Sequence, residues 1–293
     1  MLRADEPEGM MNQNLNVLGV YREAEFSPGK VADDAAIIDA ALAELERAGA
    51  DVNVMTAEKF VATEPRHAGL VLAMCQSHQA LNCLASVEKI GAVVMNTALA
   101  IRNCYRDLLG AGLMHAGVPV PEGALVSTAL PLDPKPLRPL DLNAPLYVKR
   151  GDLHALGPDD VSRVAGYGQL ESALADFGRR GVRRAYVQQE FPGEVVKFYG
   201  VSGSQYFAAM PERGTLSETQ TTALQRAAAI AAEALGLDVW GGDAVFDANE
   251  FAIVDFNDWP SFRHVRDEAA RAIARRSMQL LGREAATRDV SAK

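Results

Sequence analysis

The sequence predicts a mixed α/β and α+β fold, with a parallel α/β unit at the N-terminus and a strand-rich α+β remainder. Three observations carry this reading. Leu15–Tyr21 and Asp51–Met55 are short β-favouring runs, and the segment between them places Ile37, Ile38, Ala41, Leu42 and Leu45 at helical spacing. That is a strand–helix–strand unit of the parallel kind. Gly69–Met74 and Ala92–Met95 are further apolar strands around a helix near Ala80–Ile90. Beyond the proline connector VPVPEG, short strands arrive close together and end in the hairpin-like stretch Val239–Phe262.

In chain order, residues 1–13 read as a flexible tail and Arg22–Lys30 as a polar loop with Ser27, Pro28 and Gly29 as turn residues. Asp33 or Asp34 is positioned to cap the first helix, which runs to about Ala48 and ends at Gly49. In open α/β sheets ligands gather at the carboxyl ends of strands, so 21–30, 75–78 and 96–97 are candidate substrate contacts. Ordinary loop chemistry accounts for them equally well, and His78 reads as a loop hydrogen-bonder. One helix is expected over Ala98–Ala116, carrying Arg102 and Arg106, then a long loop over Ser127–Asn143. Leu146–Lys149 is a strand, and RGDLHALGPDD is a loop whose Gly151, Asp152 and His154 either cover phosphates or form an exposed turn. Gln169–Phe177 is a helix. Ala185–Gln189, Val195–Val201 and Gln205–Met210 are strands, with QEFPGE as a bend. An apolar helix at Thr222–Leu235 ends at Gly236, and a final helix spans about Arg266–Leu281, with the last ten residues frayed.

The 293 residues suffice for two or three lobes around a sizeable core. A net charge of −9 argues against nucleic-acid binding. No apolar run approaches a membrane span, and MLRADEPEG does not read as a signal peptide. Cys75, Cys83 and Cys104 are too far apart for a C-x-x-C site and read as small buried hydrophobes in a reducing, cytoplasmic setting. Walker A, H-E-x-x-H, G-x-S-x-G and kinase H-R-D motifs are absent, and Gly166-Tyr167-Gly168 lacks the context of a dinucleotide fingerprint.

Within Val239–Phe262, Ala244–Asp247 and Phe251–Phe256 form two strands joined through Ala248, Asn249 and Glu250. A three-residue loop sets Asp247 opposite Phe251, Val245 opposite Ile253 and Asp243 opposite Asp255, with Asn257 on the same face. Two carboxylates and an amide oxygen on one rigid face suit Mg²⁺, which keeps several waters and shares other positions with phosphates. A hairpin edge with solvated acids is the alternative. A one-residue slip would move Asp243 to the other face.

A basic helix before G-V-P-V-P, a strand ending in Lys149, the strand–bend–strand QQEFPGEVVKFYGV and the pair Gly242-Asp243 … Asp255-Phe256-Asn257-x-x-Pro260 occur in one order. This ordered set resembles the ATP-grasp superfamily over roughly residues 15–280. The resemblance implies an N-terminal α/β domain on the substrate side (14–100) and an ATP-grasp domain (101–285) of two α+β lobes enclosing ATP, with 119–186 as a lid. It implies that Arg106 stands where the first ATP-contacting lysine is usual, eleven residues before Gly117, and that Lys149 is the second. Gln189, Glu190 and Phe191 match the adenine hinge, although Pro192 lacks the N–H often donated there. Glu194 is placed for the ribose, Lys197 for a phosphate or substrate, and Asp243, Asp255 and Asn257 for Mg²⁺. Ser261 replaces the common glycine after the motif's proline.

The activity implied is a carboxylate–amine ligase. ATP activates a small-molecule carboxylate as an acyl phosphate, and an amine displaces phosphate to give an amide. Arg213, Arg263 and Arg22 are candidates to stabilise the oxyanion. The same segments also resemble inositol-trisphosphate kinases, but Gln205–Met210 lacks the arginines and the chain is acidic. A non-catalytic nucleotide-binding protein is the third reading. Apolar N-terminal helices are compatible with a homodimer.

Overall fold

The structure, a computed structural model, describes residues 15–291 except Arg66, His154, Ala155 and Asn249, and leaves out the side chains of 283–291. The tail at 1–13 and the phosphate-loop candidate His154 therefore lie outside the described residues.

Strands β1 (Asn16–Val20), β2 (Asp51–Met55), β3 (Leu70–Ala73) and β4 (Val93–Met95) form a parallel sheet of order β2-β1-β3-β4. Every residue of β3 is buried, because helices cover both faces. On one face, α1 (Val31–Arg47) packs through Ile37, Ile38, Ala41, Leu42 and Leu45. On the other lie α2 (Ala57–Thr63), α3 (His78–Lys89) and α4 (Ala98–Asn103). Ser77 and Thr97 cap α3 and α4 through their side-chain oxygens.

A second sheet is antiparallel, of order β5-β8-β6-β7: β5 (Gly123–Ser127), β6 (Pro145–Arg150), β7 (Val161–Ala165) and β8 (Arg184–Gln189). With α6 (Tyr167–Arg179) it encloses its own core, including Leu146, Val148, Leu170, Leu174, Phe177 and Val187. The third sheet, order β10-β9-β11-β12, comprises β9 (Glu194–Val201), β10 (Phe207–Pro211), β11 (Val239–Asp247) and β12 (Glu250–Asp258). One face packs on α5 (Arg106–His115) and α7 (Glu218–Leu235) through Phe198, Trp240 and Phe256. The other contributes Tyr199 and Val201 to the core formed by α1 and α8 (Arg266–Ser291).

The first and third sheets are fastened together. The Asn96 side-chain oxygen accepts from the N–H groups of Asp238 (2.6 Å) and Val239 (2.9 Å), and its Nδ2 donates to the Val239 carbonyl (2.7 Å). The Trp259 indole donates to the Met95 carbonyl at 3.2 Å. Arg22 donates to the carbonyls of Met74 (3.2 Å), Asp258 (3.3 Å) and Trp259 (2.9 Å) and to Asp34 (3.1 Å).

Several expectations need correction. The single helix over 98–116 is two, because the chain turns at Cys104–Tyr105 and buries the Tyr105 ring. Asp33 and Asp34 are not caps: Lys30 occupies the cap, and Asp34 is buried, accepting from Ser27 Oγ (2.6 Å) and Arg22. Pro-rich 127–143 follows a strand, β5, whose GALVS offered too short an alternation to read. Strand β7 and helix α2 were hidden for the same reason. Helix α7 starts four residues earlier, where Ser217 and Gln220 form a capping box.

Candidate active site

The hairpin of β11 and β12 is the base of the site, and its register arises differently from the expectation. Asp247 pairs with Glu250, not Phe251, and Val245 pairs with Ala252. Glu250 is therefore the first strand residue, and Ala248 turns in the left-handed region at φ 51. Ala244 then pairs with Ile253, and a bulge at Val254 brings Asp243 opposite Asp255 after all. A shorter turn and one extra strand residue cancel. Bulges re-aim strand groups in this way, commonly beside active sites.

On β9, Lys197 pairs in register with Asp243, so Lys197, Asp243 and Asp255 form one row across three strands. Lys197 Nζ donates to Asp243 Oδ1 at 3.0 Å. Asn257, two residues beyond Asp255, donates to its Oδ2 at 3.5 Å. Burial raises the Asp243 pKa above the ordinary carboxylate value, opposed by Lys197 and reinforced by Asp255. For Lys197, burial acts downward, but Asp243 outweighs it and the net shift is upward.

Two cations reach this row from other elements. Arg106, the first residue of α5, is 6% exposed and ion-pairs with Asp255 Oδ1 at 3.3 Å. Its Nη1 is buried with no hydrogen-bond partner among the described residues, beside a small, mainly apolar pocket whose wall Arg106 shares with Leu109, Leu113, Ile253, Lys149, Gln188 and Asp255. Lys149, near the end of β6, is 8% exposed. Its Nζ donates to Gln188 Oε1 (2.7 Å) and to the carbonyl of the bulge residue Val254 (2.9 Å), so it bridges the second and third sheets. Burial, with the Arg106 charge adding to it, pushes the Lys149 pKa down to about 8.

The expected hinge joins β8 to β9. The Gln189 N–H donates to the Glu122 carbonyl (2.8 Å) and the Glu190 N–H to the Pro145 carbonyl (3.0 Å). The Gln189 side chain donates to Pro145 O (3.0 Å) and accepts from Asp141 N–H (3.1 Å), while Glu190 is held bidentate by Arg163 (2.8 and 2.7 Å). With Pro192 lacking a donor, the Phe191 N–H meets no acceptor among the described residues. Gly193 follows at φ 139, where a side chain would strike the Phe246 carbonyl.

The remaining candidates stand apart. Glu194 is exposed at the start of β9, 4.0 Å from Arg213, which is itself 84% exposed. Arg263 is 67% exposed and lies 3.7 Å from Asp33. Arg22 has its guanidinium committed to the joint between sheets, so it is no spare oxyanion donor. In the strand-end loops, Glu23 is buried and accepts from the N–H groups of Gln76 and Ser77, both at 3.0 Å. The contributions of Gln188, Tyr186 and the Val254 carbonyl were not legible, since each depends on a sheet pairing that local pattern does not specify.

Among the described residues no three His, Cys, Asp or Glu side chains cluster as a metal cage. Two carboxylates and an amide on one face are a poor set for zinc but fit Mg²⁺, which needs few protein ligands. A buried lysine and an orphan arginine N–H beside them fit phosphate oxygens.

A parallel α/β layer joined to an antiparallel sheet, with a second antiparallel sheet bonded to it through Lys149, is the ATP-grasp fold. The solved structures that it resembles include D-alanine–D-alanine ligase from Bacillus anthracis complexed with ATP, at TM-score 0.71 and 12% identity over 93% of this chain and 100% of that one. They include the D-alanine–D-alanine ligase of Coxiella burnetii (TM-score 0.71, 16% identity, 94% and 98% covered). The D-Ala:D-Ser ligase of Enterococcus faecalis is similar too (TM-score 0.69, 13% identity, 92% and 100% covered). No protein-family model matches the sequence, and no curated protein matches it.

Proposed function

We propose that this protein is a Mg²⁺- and ATP-dependent carboxylate–amine ligase. The observation that carries the proposal is the convergence of Arg106 and Lys149 on the in-register row Lys197–Asp243–Asp255, within a fold shared with proteins named as D-alanine–D-alanine and D-Ala:D-Ser ligases.

In this reading Asp243, Asp255 and Asn257 hold Mg²⁺, which supplies charge neutralisation at the phosphates. Lys149 and Arg106 offset the remaining phosphate charge, and the orphan Nη1 gains an acceptor. With its pKa lowered to about 8, Lys149 is a desolvated cation, and a bound phosphate would return a charged partner to it. The hinge of Gln189, Glu190 and Phe191 seats the adenine, with Phe191 as donor, and Glu194 accepts from the ribose. Lys197 stands between Asp243 and the substrate side, where it can meet a phosphate or the acid. ATP supplies the phosphoryl group that converts the carboxylate into an acyl phosphate. The amine then attacks the acyl carbon, the C–O bond to phosphate breaks, and the amine proton leaves to solvent or a neighbouring base. Arg213 and Arg263 remain the candidates for the tetrahedral oxyanion, each reaching it only if the exposed side chain swings inward. The separately cored layer 119–186 acts as the lid that excludes water. The substrate side is the 14–100 layer, at loops 21–30 and 75–78.

The strand β10, Phe-Ala-Ala-Met-Pro, carries no cation, which disfavours the inositol-phosphate-like kinase. Three free, buried thiols suit a cytoplasmic setting, and no described helix is long and apolar enough to cross a membrane. Exposed Leu99, Leu108 and Met114 on α4 and α5 are where a homodimer would bury apolar surface.

The test is phosphate release from ATP against a matrix of small carboxylates and amines, beside thermal-shift titrations with ADP, ATP and Mg²⁺. The proposal expects release that requires both an acid and an amine, and a Mg²⁺-dependent rise in midpoint that Lys149→Ala removes. Nucleotide-independent stability, or a phosphorylated polyol as product, would overturn it.

A further inference from the structure

A cavity of about 490 Å³ lies on the face of the third sheet opposite the charged row. Trp240, on its floor, precedes Asp243 by three residues on β11 and therefore points the other way, into the core beneath α7. The walls are the β9–β10 turn, the last turns of α7 and Arg276 from α8. The proposed ligase chemistry uses none of these groups.

The guanidinium in this cavity is deliberately placed. Arg276 is 9% exposed, and Asp238 Oδ1 receives its Nε at 2.8 Å and lies 2.7 Å from its Nη2. Gly203, at φ +67, makes room for it: a Cβ there would sit 2.5 Å from Nη1. Nη1 meets no acceptor among the described residues. A buried cation with one ion-paired edge and one open N–H in a cavity wall is an anchor for a single carboxylate.

The rest of the lining defines what else the ligand carries. Glu233 lies at the exposed rim, Asp238 has already offset the Arg276 charge, and the negative end of α7 points the same way. A simple anion would meet two carboxylates here, and a simple cation would meet Arg276. A zwitterion satisfies both poles. Trp240 and Phe207, 6.3 Å apart between ring centroids, supply an aromatic wall for an apolar side chain. The volume is within the range of small-ligand sites.

We propose that this cavity binds an α-amino acid with an apolar side chain. Its carboxylate lies on Arg276 Nη1, its ammonium group faces Glu233, and its side chain rests against Trp240 and Phe207.

The experiment is isothermal titration of the full chain, without nucleotide or metal, with leucine, leucinamide and 4-methylpentanoate. Leucine is expected to bind saturably, and the two analogues, each lacking one charge, about tenfold or more weaker. Ala229→Trp fills the cavity from an exposed position of α7 and is expected to abolish leucine binding, whereas Lys149→Ala leaves it intact. Glu233→Gln, at an exposed carboxylate, weakens leucine about tenfold and leaves 4-methylpentanoate unchanged. Binding that survives Ala229→Trp and disappears in Lys149→Ala places the amino acid in the catalytic cleft and overturns the proposal, as does the absence of saturable heat up to about 50 mM leucine.

Discussion

Replacing Lys149 by methionine should stabilise the protein at neutral pH while removing the ATP chemistry proposed for it. The side chain is almost fully buried, and its pKa falls from an ordinary 10.5 to about 8. The folded state therefore disfavours the charged form, fully below about pH 8, and sheds that penalty as pH rises from 8 to 10.5. At 1.36 kcal/mol per unit, the penalty is about 3 kcal/mol at pH 7 and roughly 1.4 kcal/mol at pH 9.5. Methionine keeps the apolar stem but leaves Gln188 Oε1 and the Val254 carbonyl without their donor, at about 1 kcal/mol each. The variant should thus be more stable than wild type by about 1 kcal/mol at pH 7 and less stable by roughly 0.6 kcal/mol at pH 9.5. Urea denaturation of both proteins at the two pH values reads the difference directly, because other titrating groups cancel between them. A stability gap that does not move by about 2 kcal/mol between these pH values refutes the desolvated lysine. Loss of turnover in the same variant would show that the instability is retained for binding anions.

Three further outcomes follow from the geometry. Asp255→Asn should lower turnover by about a hundredfold or more and abolish the Mg²⁺-dependent thermal shift, and it should lower the midpoint because buried Arg106 loses its anion. Gly242→Ala places a methyl group against the Asp255 carbonyl and 2.6 Å from Phe198 Cζ, so a loss of about 3 kcal/mol is expected by chemical denaturation; a wild-type midpoint would mean the β11 packing is wrong. Arg22→Ala should destabilise by roughly 3–5 kcal/mol, since buried Asp34 is left with one hydroxyl partner and three carbonyls lose their donor. Its effect should appear as a lowered melting temperature in the absence of any ligand.

The parts of the fold that were legible in the sequence are those in which local chemistry and tertiary demand agree. The 3.6-residue spacing on α1, the β-favouring run Val195–Val201 and Gly236 at the end of α7 each name an element without help from elsewhere. What escaped was settled by long-range pairing. Strands β5 and β7 are five residues each and gain their identity from β8 and β6. The hairpin of β11 and β12 is instructive because the predicted facing of Asp243 and Asp255 holds through an unforeseen route, a shorter turn offset by the bulge at Val254. Lys149 stood out as a lysine delivered by a strand end, but its partners did not, because Gln188 and Val254 reach it only across sheet contacts.

The second sheet is attached in a way that makes it separable. Its first strand enters at Gly123 and pairs there with Gln188, one residue before its last strand ends, and the Gln189 N–H is bonded to the Glu122 carbonyl. The interruption in the chain therefore opens and closes at a single point, while its apolar interior is shared with neither of the other sheets. In modular terms, residues 123–188 are a cassette inserted into a host whose halves complete each other through Asn96, Trp259 and Arg22. Excising the cassette across a short linker should leave a host that still folds. Cutting the host between its halves should leave two fragments that do not.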